Sequence, residues 1–252
     1  MIKILLERIR QGYRTIDFPK TVPNFPKHYR GLPQIDNTAC AKNCNLCESV
    51  CPTKAVNCKN GKIKIDLGRC LFCPECEIAC PEKKITFTKD HRLAVSKREN
   101  LIIGEKTLQL AEQLGENIRK TFGRSLKFRQ VSAGGCNACE ADINVLSTVG
   151  FDLGRFGIQI VASPRHADGI IVTGPVSDNM KLALEKTYRA VPEPKIVIAV
   201  GACAISGGPF INHEETHNGI TDIFPVDLYI PGCPPHPLTI LDGFLRLIGK
   251  IK

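Results

Sequence analysis

Residues 195–208, KIVIAVGACAISGG, set the reading of the larger half of the chain. Five apolar residues in succession, Ile196 to Val200, read as a strand buried on both faces, and the glycine and Cys203 that follow read as a turn carrying a functional residue. The same alternation continues on either side. LKFRQVS (126–132) precedes a cysteine turn and an NVLSTV helix, and IQIVAS (158–163) and GIIVTG (169–174) follow. A helix then aligns Met180, Leu184, Tyr188 and Val191; DLYIPG (227–232) is the last strand pattern, and a final helix aligns Leu238, Leu241, Leu245 and Ile248. Continuous apolar strands alternating with amphipathic helices predict a mostly parallel sheet covered on both faces.

Four cysteines punctuate this half. Cys136 and Cys139 form C-x2-C in SAGGCNACEAD after the first strand, Cys203 follows KIVIAVG, and Cys233 follows DLYIPG in IPGCPPHP. In open α/β sheets, sites form beyond the carboxyl ends of the strands, so three loops can bring four thiolates to one edge. A flavodoxin-like α/β domain over residues 124–252 is expected, with a four-cysteine site. Gly134, Gly135, Gly201, Gly207, Gly208 and Gly232 beside these cysteines have two readings: close approach of backbone to a bound group, or tight turns alone. No G-x-x-x-x-G-K-[ST] cradle occurs, so nucleotide binding has little support. His213, Glu214 and His217 spell H-E-x-x-H, but GGPFINHEETHNGITD lacks the apolar stripe of a buried helix, and a solvated loop is expected rather than a protease site.

The N-terminal half holds the other nine of the thirteen cysteines. CLFCPECEIACP (70–81) sets Cys70, Cys73, Cys76 and Cys80 at C-x2-C-x2-C-x3-C-P, the spacing of two-cluster bacterial ferredoxins. Upstream, Cys40, Cys44, Cys47 and Cys51 repeat it with one extra residue after Cys40. In this pattern the fourth cysteine of each run serves the other cluster. Cluster 1 is therefore expected on Cys40, Cys44, Cys47 and Cys80, cluster 2 on Cys70, Cys73, Cys76 and Cys51, and a third on Cys136, Cys139, Cys203 and Cys233. Zinc prefers separated C-x2-C pairs to four-cysteine runs ending in Cys-Pro. Cys58, outside both runs, reads as a free or packing cysteine.

The remaining segments give a domain map. Ile2, Leu5, Leu6 and Ile9 fall on one face of a short helix, and four prolines between Pro19 and Pro33 predict an extended arm ordered by a partner, completing a segment 1–35. Residues 36–100 form the two-cluster α+β domain, and 101–123 a linker helix aligning Ala111, Leu114, Ile118 and Phe122. The formal charge of +9 points toward a polyanion such as nucleic acid. Each 4Fe-4S cluster with four thiolates carries roughly −2, so three lower the total to about +3, and no nucleic-acid partner is expected. No window approaches the ~18 apolar residues of a membrane span, and MIKILLERIRQ is too charged for a secretory signal, which predicts a cytoplasmic chain.

The stretches GGCNACEAD, RFGIQIVASPRHADGIIVTGPV, GACAISGG and YIPGCPPHP resemble the small subunit of group 4, energy-converting NiFe hydrogenases of the formate hydrogenlyase type. These are relatives of the subunit next to the quinone site in complex I. HYRGLP, DLGRCLFCPECEIACP and HRLAVSKREN resemble the two-cluster ferredoxin-like subunit of the same complexes, so the chain is similar to two adjacent subunits fused. The resemblance implies an oxidoreductase subunit with three 4Fe-4S clusters, peripheral on the cytoplasmic face of the membrane. Electrons would pass from a ferredoxin or a formate-dehydrogenase-like donor to a NiFe large subunit, coupled to membrane-embedded ion-translocating subunits. No catalytic residue is implied in this chain, though Glu140 matches a position near a proton route. Arg165, His166 and Asp168 match a loop beside the third cluster. Two alternatives stand: the same relay serving a quinone or sulfur reductase, and a zinc-stabilised nucleic-acid-binding module.

Overall fold

The computed structural model describes residues 2–21, 23–36, 38, 40, 44–104, 107–112 and 125–251. Its larger layer is a five-stranded, all-parallel sheet of β6 (Leu126–Ser132), β7 (Ile158–Ile160), β8 (Gly169–Thr173), β9 (Ile196–Val200) and β10 (Leu228–Ile230). In space the strands run β7-β6-β8-β9-β10, which is second, first, third, fourth, fifth in chain order. That is the doubly wound, flavodoxin-like order, whose direction of winding reverses beside the first strand.

Side chains of β8 and β9 alternate between two apolar layers. Ile170, Val172, Val197 and Ala199 face one; Ile171, Ile196, Ile198 and Val200 face the other. In the second layer lie α4 (Ala138–Val145) and the buried α7 (Pro237–Leu247), with the stacked Phe128 and Phe244 rings 5.8 Å apart. Each ring contributes about 1.5–3 kcal/mol by leaving water. Pro237 opens α7, where its missing N–H costs nothing, and His236 Nδ1 accepts the Leu238 N–H at 3.1 Å. Within α7, Arg246 Nε donates to Asp242 Oδ2 at 2.7 Å, a buried pair one helical turn apart. The first helix of this half starts earlier than the expected NVLSTV segment, because the chain turns through Asn137, at φ 72, directly into α4.

The first apolar layer is shared. With α5 (Asp178–Ala190) and α6 (Ala202–Ser206) it holds Ile63, Ile65, Leu67, Leu101 and the thiols Cys47, Cys70 and Cys76 of the N-terminal region. That region contains a hairpin of β2 (Val56–Lys59) and β3 (Lys62–Asp66), extended by β5 (Ile102–Ile103). A second pairing joins β1 (Pro33–Ile35) to β4 (Ile85–Phe87). Helices α2 (Leu46–Ser49) and α3 (Glu75–Ala79) are single turns. Ser206 Oγ donates to Gly68 O at 2.8 Å, and Val95 bridges Tyr229 of β10 through two backbone hydrogen bonds of 2.9 and 3.0 Å. The cysteine-rich region is thus joined to one face and one edge of the sheet.

Helix α1 (Ile2–Gln11) forms as expected and buries no residue. The arm after it is held by its own chain rather than waiting for a partner. Ile16 N–H donates to Gly150 O, Arg155 to Ile16 O and Phe18 O, and Arg30 Nε to Phe72 O. The expected linker helix is corrected at its start: Ile102 and Ile103 pair with Asp66 and Ile65, and residues 107–112 carry no helix. Leu114, Ile118 and Phe122 lie outside the described residues.

Candidate metal centres

Every thiol of the sheet half lies beyond the carboxyl end of a strand. Cys136 and Cys139 flank the start of α4 after β6, Cys203 is in α6 after β9, and Cys233 follows β10 at a cis Cys233–Pro234 bond. Their charges act on one another: Cys139 feels Cys203, Cys233 and Cys136, and Cys203 feels Cys233 and Cys136. Cys136 and Cys233 are exposed; the other two are partly covered.

Two glycines here have a close-approach reason. A Cβ on Gly201, at φ 90, would stand 2.5 Å from Cys139 Sγ, and one on Gly208 2.9 Å from Cys203 Sγ. At Gly134, Gly135, Gly207 and Gly232 the added atom would meet Ser177, Gly174, Asn218 and Pro235 first, so tight chain packing accounts for those.

The N-terminal thiols divide into two groups that cross the sequence runs. Cys70 and Cys76 feel Cys73 and also Cys51 of the upstream run. Cys40 and Cys47 feel Cys80 of the downstream run, and Cys40 feels Cys44. Weaker influences cross between the groups: Cys76 feels Cys47, and Cys233 feels Cys73. Cys58, on β2, is a free cysteine packed against the buried cluster, as expected, and its charge also acts on Cys47 and Cys40.

The donor set suits iron–sulfur clusters. Backbone N–H groups point at thiol sulfurs: Ala55 to Cys51 at 3.1 Å, Phe72 to Cys70 at 3.3 Å, and Lys84 to Cys80 at 3.3 Å. Such bonds stabilise anionic sulfur and raise cluster potentials. Phe72 accepts a left-handed φ of 55° to aim its N–H, a strain of about 1–3 kcal/mol held by its surroundings. Burial pushes the Cys47 thiol up to about 11 and Cys70, Cys76 and Cys203 up to about 12, and neighbouring thiolates add to the rise. Iron bound by each group would reverse that balance, because a coordinated thiol is deprotonated. Among the described residues no three Cys, His, Asp or Glu side chains close tightly enough to hold a single metal ion. A zinc tetrathiolate needs sulfurs only about 3.8 Å apart, whereas the four thiolates of a cubane each bind a different iron.

Glu140 is buried beside Cys139, and its Oε1 accepts from Ser132 Oγ and Thr173 Oγ1, both at 2.6 Å. Arg165, His166 and Asp168 are placed differently from the expectation. Asp168 Oδ2 accepts the Lys127 N–H at 2.7 Å, and Ile160, Phe128 and Gly169 lie level across three strands, at the amino end of β6 and β8. Four residues of β6 at about 3.3 Å each, some 13 Å, separate that level from the thiol edge. Asp168 thus ties down the amino end of β6, while Arg165 and His166 are exposed at that same end. The H-E-x-x-H segment is a turn, not a helix: His213 Nδ1 accepts from Glu215 N, and His217 Nε2 lies 2.6 Å from Asp178 Oδ1.

Four thiols at the carboxyl edge of a doubly wound parallel sheet define a class: an α/β protein with a candidate thiolate site at its sheet edge. The chain belongs to the NADH ubiquinone oxidoreductase 20 kDa subunit family, whose model matches residues 136–247, and it is an oxidoreductase subunit. A probable membrane-bound hydrogenase subunit of Pyrococcus furiosus is 42% identical over 132 residues, 52% of this chain and 79% of that protein. Subunit 7 of Escherichia coli formate hydrogenlyase is 42% identical over 136 residues, 54% of this chain and 53% of its own length. An NADH-quinone oxidoreductase subunit of Heliobacterium modesticaldum is 42% identical over 119 residues, 47% and 68% of the two chains. The chain thus spans about half of the formate hydrogenlyase subunit.

Proposed function

We propose that this chain is the electron relay of a membrane-bound, energy-converting complex, holding three 4Fe-4S clusters in a row. The observation that carries this reading is the set of backbone N–H groups donated to the Cys51, Cys70 and Cys80 sulfurs, together with four further thiols beyond the carboxyl ends of β6, β9 and β10. Cys40, Cys44, Cys47 and Cys80 hold the first cluster, Cys51, Cys70, Cys73 and Cys76 the second, and Cys136, Cys139, Cys203 and Cys233 the third. Bound there, the clusters supply one-electron transfer. The protein buries Cys47, Cys70 and Cys76 in an apolar cluster and donates N–H groups to the Cys51, Cys70 and Cys80 sulfurs.

The N-terminal unit is read as ferredoxin-like and the chain as two subunits fused, with the electron donor, a ferredoxin or a formate-oxidising protein, near the first group. The exposed Cys136 and Cys233 edge faces a NiFe large subunit, and ion-translocating membrane subunits complete the assembly. Among the described residues no helix is long and apolar enough to cross a membrane, which suits a peripheral place on its cytoplasmic face. The names of the Pyrococcus and Escherichia relatives favour the hydrogenase reading; that of the Heliobacterium relative supports the second, the same relay ending at a quinone.

Purified chain is expected to carry about twelve iron and twelve acid-labile sulfide. Zinc in their place would end the relay reading. The complex purified with its subunits separates the two endpoints: nickel and hydrogen evolution support the first, and quinone reduction without nickel the second.

A further inference from the structure

Five thiols, not four, surround the first site, and the hairpin β2–β3 gathers two of them. Cys40 N–H donates to Gly61 O at 3.1 Å at the hairpin turn, while Cys58 lies on strand β2 itself. Glu48, the residue after Cys47 on α2, fastens that strand: its Oε2 accepts the Cys58 N–H at 3.0 Å and its Oε1 the Asn57 Nδ2 at 3.3 Å. Cys58 and Cys40 both pack against the buried cluster that contains Cys47, and the Cys58 charge acts on Cys47 and on Cys40.

We propose that Cys58 and Cys40 are interchangeable ligands for one corner of the first cluster, an inference that rests on the relay reading above. A cubane offers four irons to four thiolates, so with Cys44, Cys47 and Cys80 in place one corner remains for two candidates. The C-x3-C spacing gives Cys40 one residue more than the C-x2-C spacing at Cys70, whereas Cys58 is fixed by a paired strand and the Glu48 clamp. Exchange is balanced. The iron bond to one sulfur breaks as the bond to the other forms, the incoming thiol's proton passes to the outgoing thiolate, and no electron or net charge moves.

The test uses the full chain with whatever subunits it purifies with, and compares it with Cys40→Ala, Cys58→Ala and the double variant. Iron, labile sulfide and low-temperature EPR are read. Both single variants are expected to keep the iron content of the unsubstituted protein and show no three-iron signal. The double variant is expected to lose one iron in about twelve and to show an oxidised 3Fe-4S signal. A three-iron signal in Cys40→Ala alone, or a double variant as iron-rich as the unsubstituted protein, overturns the proposal. Unsubstituted protein without iron overturns the relay reading itself, so the two failures are distinct. Should a single variant fail to fold, alkylation of the unsubstituted protein decides: label divided between Cys40 and Cys58, never both on one chain, supports exchange, and label on Cys58 alone overturns it.

Discussion

The cysteine-rich region and the parallel sheet solve the same problem, holding thiols in place, by opposite means. In the former, strands of two to five residues and helices of four or five surround a core that includes Cys47, Cys70 and Cys76. In the latter, β8 and β9 are buried along their whole length and α7 is buried at every position, while the four thiols lie beyond the strand ends, none of them fully buried. One region uses its ligands as core; the other carries them on a scaffold built of hydrocarbon. The difference teaches that metal, where bound, would be coupled to the fold in the first region and separable from it in the second.

Iron removal breaks or confirms that contrast most directly. Chelation is expected to cost residues 44–104 their amide protection, a loss on the order of 10 kcal/mol by analogy with structural metal sites. Strands β8 and β9 and helix α7 should keep theirs in hydrogen exchange, and equal loss in both regions would erase the distinction. Next in size, Asp242→Ala leaves the Arg246 guanidinium buried without its partner and should cost about 3–5 kcal/mol in denaturant titration, with iron content retained.

Gly201→Ala sharpens the picture at the sheet edge. The new Cβ would press on Cys139 Sγ at a strained φ, with an expected cost of about 1–3 kcal/mol. Iron should fall from about twelve to about eight per chain, with the two N-terminal spectra unchanged. Smallest of all, deleting residues 2–11 should change stability by less than about 0.5 kcal/mol and leave iron content intact, since α1 buries nothing.

The apolar runs at 169–173 and 196–200 read directly as strands, because burial on both faces needs nothing beyond local composition. The cysteine spacings likewise give candidate thiolate groups from local sequence alone. Less legible was Cys58, whose neighbours come from α2, a hairpin turn and the loop at Cys40, none of them adjacent in sequence. SPRHAD was set beside the third site by resemblance alone, which carries no information on which end of a strand a loop occupies. The actual β7 stops at Ile160, level with the first turn of the sheet, and the chain crosses there to β8. The arm's prolines forecast extension but not what would hold it, since its partners, Gly150, Arg155, Phe72, Thr88 and Asp90, lie tens of residues away.

By itself the sequence determined which segments become strands and helices and which residues can bind metal, because hydrophobic period and thiol spacing are local properties. Only the tertiary structure decided which thiols meet, that the cysteine-rich region shares a core with the sheet, and which end of each strand a loop occupies. Those outcomes depend on lateral strand order and on contacts between distant segments, which no run of neighbouring residues encodes.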